Sequence, residues 1–273
     1  MLSTTGVDLA VERLLQRDRQ VVLVGLILIT GLAWVYLYYL TVQMDMVPME
    51  MADTGASANP ISAMVTLAPW TPTDALFMFL MWAIMMMGMM IPSVTPMVLL
   101  YARVVRKNTK EVATFVPTSA FFAGYIIIWV SFSAMATGLQ WGLEQAALLS
   151  PMMVSTSSIF AGIVLIGTAV YQWTPYKDAC LARCRSPVWF LSTYWRNGAG
   201  GAFRMGLSHG SYCLGCCWSL MLLLFVGGVM NLLCVAAITA FVLIEKVIPR
   251  GRDIGRAGSV LLGLTGVALL VAN

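Results

Sequence analysis

The stretch His209-Gly-Ser-Tyr-Cys213-Leu-Gly-Cys216-Cys217 holds the only histidine of the chain and three of its six cysteines, and apolar sequence follows it at once. Residues three and four apart share one face of a helix. His209, Cys213, Cys216 and Cys217 therefore form a single stripe of soft and borderline metal ligands. Thiolate and imidazole together suit zinc, and thiolate with thioether suits copper(I). Two other chemistries fit the same spacing. Cys213-Leu-Gly-Cys216 is a Cys-x-x-Cys pair, the pattern of a redox dithiol. A buried cysteine can also pack as a small hydrophobe.

One helix cannot surround an ion, so other segments must contribute. Cys180 and Cys184 stand four apart in "YKDACLARCRS" before the stripe, placed to cap it from the aqueous side or to ride as incidental thiols on an interfacial helix. Methionine is abundant, at 20 residues. Met85, Met86, Met89 and Met90 lie within "MWAIMMMGMMIPSVTPM", where Met85 pairs with Met89 and Met86 with Met90 on helical faces. Met44, Met46, Met49 and Met51 crowd "MDMVPMEM" beside Asp45 and Glu50. They read as weak copper(I) capture, as an amphipathic lip or as a docking surface. Glu245 ends the apolar run after the cysteines. A hairpin at Gly227-Gly228 would set His209 level with Lys246 and Gly210 level with Glu245. Glu245 then either supports the imidazole, joins it as a ligand, or pairs with Lys246.

The elements that carry these residues are membrane helices. The chain has 273 residues, 60% hydrophobic and 10% charged, with a mean hydropathy of +0.85. Soluble domains carry about 25% charged residues, so this surface faces lipid. Seven spans can be drawn, at 21–40, 75–100, 115–139, 155–173, 205–226, 229–248 and 254–271. With seven, all 16 lysines and arginines fall on one side, which the positive-inside rule makes cytoplasmic. The fold expected is an all-α polytopic membrane protein with about seven transmembrane helices. Its N-terminus is cytoplasmic and its C-terminus outside, in the bacterial inner membrane. Residues 1–20 form a cytoplasmic segment and 21–273 one helical domain. That domain has an outer Met-rich loop at 41–74 and a Cys-bearing cytoplasmic loop at 174–204. The first apolar run lacks a cleavage site and is longer than a signal-peptide core, so it is expected to stay as an anchor.

Several functions are excluded. No basic face in water supports nucleic-acid binding. No phosphate loop, zinc-protease His-Glu-x-x-His or lipase Gly-x-Ser-x-Gly is present, and one histidine rules out bis-histidine haem within the chain. Most enzyme classes lack a starting point.

The second span and the segment "GLSHGSYCLGCCWSLMLLLFVGGVMNLLCVAAITAFVLIEK" resemble a bacterial family described as predicted metal-binding integral membrane proteins, a domain of unknown function. The resemblance runs from about Asp74 to the C-terminus. It implies metal binding, with Cys213, Cys216 and Cys217 as the matching cysteines and Met85 to Met90 as the matching methionines. It implies no settled enzymatic activity. The reading is a membrane protein that binds a soft metal, copper first, with zinc or iron if the methionines only pack. Its partners are lipid and either other membrane subunits or a metal acceptor protein. A thiol–disulfide redox protein and a purely structural subunit are the alternatives.

Overall fold

The computed structural model describes residues 4–51, 70–108, 115–149 and 153–272. They form ten helices: α1 (Thr4–Met51), α2 (Pro72–Asn108), α3 (Phe115–Gln145), α4 (Ser158–Tyr171), α5 (Pro175–Arg185), α6 (Pro187–Tyr194), α7 (Gly198–Leu222), the single turn α8 (Leu224–Gly227), α9 (Leu232–Val247) and α10 (Gly251–Val271). Among the described residues the β pairing is one isolated bridge, Leu149 to Ser155. The all-helical class expected from the sequence is observed. Five helical stretches are long and apolar enough to cross a membrane: Gln20–Gln43, Pro72–Arg106, Val116–Gln145, Gly198–Gly227 and Gly251–Val271.

The two remaining expected spans are helical but short. α4 has 14 residues and bends by 65° into α5, and α9 has 16. The bend follows from the sequence. Pro175 cannot continue α4, and Thr174 restarts the chain by accepting the Lys177 amide at 3.3 Å. Residues 174–204, expected as a loop, are built largely of α5 and α6. The outer loop expected from residue 41 likewise begins as helix, because α1 runs on to Met51.

Local chemistry sets the other helix ends. At the start of α2, Thr71 and Asp74 cap each other: the Thr71 hydroxyl accepts the Asp74 amide at 3.3 Å, and the Asp74 carboxylate accepts the Thr71 amide at 2.8 Å. Asn231 caps α9 by accepting the Cys234 amide at 3.1 Å. Gly228 turns the chain before it with φ of 95°, a conformation open to glycine. The hairpin glycines thus do mark a turn, and α9 returns to α7 through its Lys246 side chain. It packs chiefly against α2 and α10.

Helix packing is closest where side chains vanish. A Cβ on Gly206 of α7 would lie 2.0 Å from the Phe121 carbonyl oxygen of α3, and one on Gly124 would lie 2.3 Å from that of Phe203. The α3 and α7 backbones therefore touch, as small residues allow in membranes. Inside α2, Pro92 has no amide to offer the Gly88 carbonyl. The Trp34 indole of α1 donates to that carbonyl at 3.2 Å, so the proline is repaired by a neighbouring helix.

Candidate metal centre

α7 presents its ligand stripe inward. His209, Cys213, Cys216 and Cys217 are all buried, at 3% exposure or less. Gly206 and Gly210 press the same helix against α3, and Gly215 lets Cys180 of α5 approach. A Cβ at Gly215 would sit 2.8 Å from the Cys180 sulfur. The Cys216 and Cys217 thiols donate to the Cys213 carbonyl at 3.1 and 3.0 Å. Cys184 of α5 interacts with both Cys213 and Cys216. Thiols from two helices thus converge, although among the described residues no three His, Cys, Asp or Glu side chains stand in the arrangement of a metal-ligand set. All six cysteines are free.

Cys213 is the hub. The Lys246 ammonium of α9 donates to its sulfur at 2.9 Å and to the Ser93 hydroxyl of α2 at 3.2 Å. The Tyr125 hydroxyl of α3 bridges Cys213, at 3.1 Å, and the Met90 carbonyl, at 3.3 Å. A cation and a phenol both lie within hydrogen-bond distance of that one buried sulfur, which as a thiolate would be costly to bury without a cation. Four helices therefore meet at it.

α5 is held in place by charge. Lys177 and Glu245 form an ion pair at 2.5 Å, both side chains 3% exposed. Arg185 donates to the carbonyls of Ile248 and Pro249 at the end of α9, at 2.7 and 2.6 Å. Arg256 of α10 reaches Asp178 at 3.0 Å. The Arg183 guanidinium lies over the Tyr212 ring of α7, 4.6 Å from its centre.

The residues singled out from sequence fall into three groups. Cys180, Cys184, Cys213, Cys216 and Cys217 are brought together. Met85, Met86, Met89 and Met90 are buried on α2, the helix that supplies Ser93. His209 and Glu245 are placed apart from the thiols. The His209 ring packs among Phe121, Tyr125 and Phe190, with centroids at 6.1, 6.0 and 5.2 Å, and its buried Nδ1 has no partner. Glu245 faces Lys177 of α5 rather than His209 or Lys246, while Lys246, the next residue of α9, turns to Cys213. The side chains of Met44, Met46, Met49 and Met51 lie outside the described residues. Sequence reasoning missed Tyr125, Ser93 and the role of Lys246. Lys246 carried a usable signal, since an ionisable residue at membrane depth seeks a partner.

The donor set fits a soft ion. Thiols grouped from α5 and α7, with buried thioethers on α2, suit copper(I) better than a hard cation. Comparison with known proteins adds an independent line: the family model PpoB2, described as "Copper chaperone", matches residues 79–269. That description is copper-related and differs from the metal-binding membrane family that the sequence resembles. No curated protein and no solved structure matches the chain.

Proposed function

Because the chain belongs to the PpoB2 copper chaperone family, we propose that it is a multi-pass protein of the bacterial cytoplasmic membrane that takes copper(I) as cargo on Cys213, Cys216 and Cys217 and passes it to an acceptor protein. The observation that carries this reading is the convergence of Cys184 with the α7 thiols around Cys213. Cys180 and Cys184 close the site from the α5 side, and His209 is the nearest nitrogen donor on the stripe. Lys246 balances the Cys213 thiolate between cargoes. Its ammonium competes with an incoming cation for the same sulfur, which keeps binding releasable, as a chaperone requires. Ser93 gives the ammonium a second seat when it is displaced.

The test is metal analysis of anaerobically purified protein from copper-replete cells, with X-ray absorption at the copper edge. Wild type should carry copper in a sulfur-rich environment. Replacing Cys213, Cys216 and Cys217 together by serine should remove one copper ion per chain. Full retention in that variant, or a metal-free wild type, refutes the reading.

A further inference from the structure

Met78, Met85 and Met89 lie two turns and then one turn apart on α2, so they share one stripe of that helix. All three are buried, at 1% exposure or less. Trp82 and Ser93 fall on the same stripe, and each ties one end of it to a polar group. At one end, the Gln140 amide of α3 donates to the Met78 sulfur at 3.6 Å and to Glu144 at 2.9 Å, while the Trp82 indole donates to Gln140 at 2.7 Å. Glu144 is partly exposed and also accepts from Trp70 at 2.8 Å. At the other end, Ser93 shares Lys246 with Cys213. The thioethers rise about 17 Å along the helix between these ends.

We infer that Met78, Met85 and Met89 form a thioether column along which copper(I) moves between the Glu144 end of the bundle and the thiol cluster at Cys213. This rests on the copper(I) reading of that cluster. Thioethers are neutral and soft, so they hold copper(I) without the deep well that a row of thiolates would make. Met85 and Met89 stand one turn apart, and Met81, buried on α2 three residues after Met78 and four before Met85, bridges the two-turn gap between those two, within reach of ligand-by-ligand exchange. The Glu144 carboxylate supplies a negative charge at the mouth, and the Gln140 amide fixes the first thioether. The ion exchanges ligands and keeps its charge. No electron moves, and each neutral thiol that becomes a ligand releases one proton.

The experiment uses purified full-length protein in sealed vesicles, in one orientation, with copper(I) supplied as a membrane-impermeant chelate to one face. Arrival at the thiols is read from thiolate-to-copper absorption in the ultraviolet. Leucine replaces methionine with nearly conserved volume. The combined Met78→Leu, Met85→Leu and Met89→Leu variant should load from the Glu144 face slower by about tenfold or more. Its loading from the opposite face and its final copper content should match wild type. Met97→Leu, a buried methionine one turn beyond the Ser93 end of the column, should load like wild type from both faces. Wild-type loading of the triple variant from the Glu144 face overturns the column. So does equal slowing from both faces, which would make the methionines ligands of the thiol site. A wild type that takes no copper from either face fails at the thiol cluster itself, a result distinct from these.

Discussion

Lys177→Met tests how α5 is held over the thiols. The substitution keeps the stem and removes the ammonium, leaving Glu245 buried at 3% exposure with no cation against it. Breaking a buried pair in this way costs about 3–5 kcal/mol. A second route gives a similar ceiling. Glu245 can escape by taking up a proton, which at pH 7 costs about 4 kcal/mol for a carboxyl of ordinary pKa near 4.3. The cost should therefore shrink as the pH is lowered toward 5, where protonation comes nearly free, and should be largest at neutral pH and above. Replacing both partners, Lys177→Met with Glu245→Leu, removes the unpaired charge and should recover most of the loss. The assay is thermal unfolding in detergent for wild type, the two single variants and the double variant, at pH 7.5 and pH 5. Cys184 should also react faster with a maleimide in Lys177→Met, since α5 carries both residues. A Lys177→Met protein as stable as wild type at pH 7.5, or a double variant no better than the worse single, refutes the argument that this pair docks α5.

Two further outcomes follow from the packing and the charges. Gly206→Ala would put a methyl 2.0 Å from the Phe121 carbonyl oxygen, so the α3–α7 contact must open and folded yield should fall sharply, whereas Gly167→Ala, with nothing within 4 Å, should express like wild type. Reporter fusions after Asn59 and after Asn273 should both report the outer face if seven segments cross, and a cytoplasmic signal at Asn273 would show an even number of crossings.

The helices and the thiol stripe were legible because both depend on periodicity within one segment. Apolar runs mark the helices, and the three- and four-residue spacings mark which side chains share a face. What sequence could not supply was the choice of neighbour. The glycines at 227 and 228 marked a turn correctly. The hairpin brings Lys246 back to α7 one turn from the expected His209, at Cys213, while the α9 backbone packs chiefly on α2 and α10. Glu245 meets Lys177 instead of His209. Tyr125 was invisible for the same reason: one tyrosine among many aromatic residues in α3 has no pattern that names its partner. Cys180 and Cys184 showed their shared face through spacing, while the 65° bend that lays α5 against α7 came from Thr174-Pro175 and the ion pairs.

If the short helices α4 and α9 each cross the bilayer, they have a mechanical consequence for the surrounding lipid. Their 14 and 16 residues extend about 21 and 24 Å, against a hydrocarbon core of about 30 Å. Such hydrophobic mismatch is relieved by thinning the bilayer beside the short segments, at fractions of a kcal/mol per Å. The lipid around α4 and α9 would then be drawn inward, and the aqueous phase would dip toward the Lys177–Glu245 pair, Lys246 and the Cys213 thiol beside it. A dimple of this kind shortens the distance over which a charged ion must be screened from hydrocarbon. It also ties the working depth of the site to acyl-chain length, so the membrane itself becomes part of the vessel that holds it.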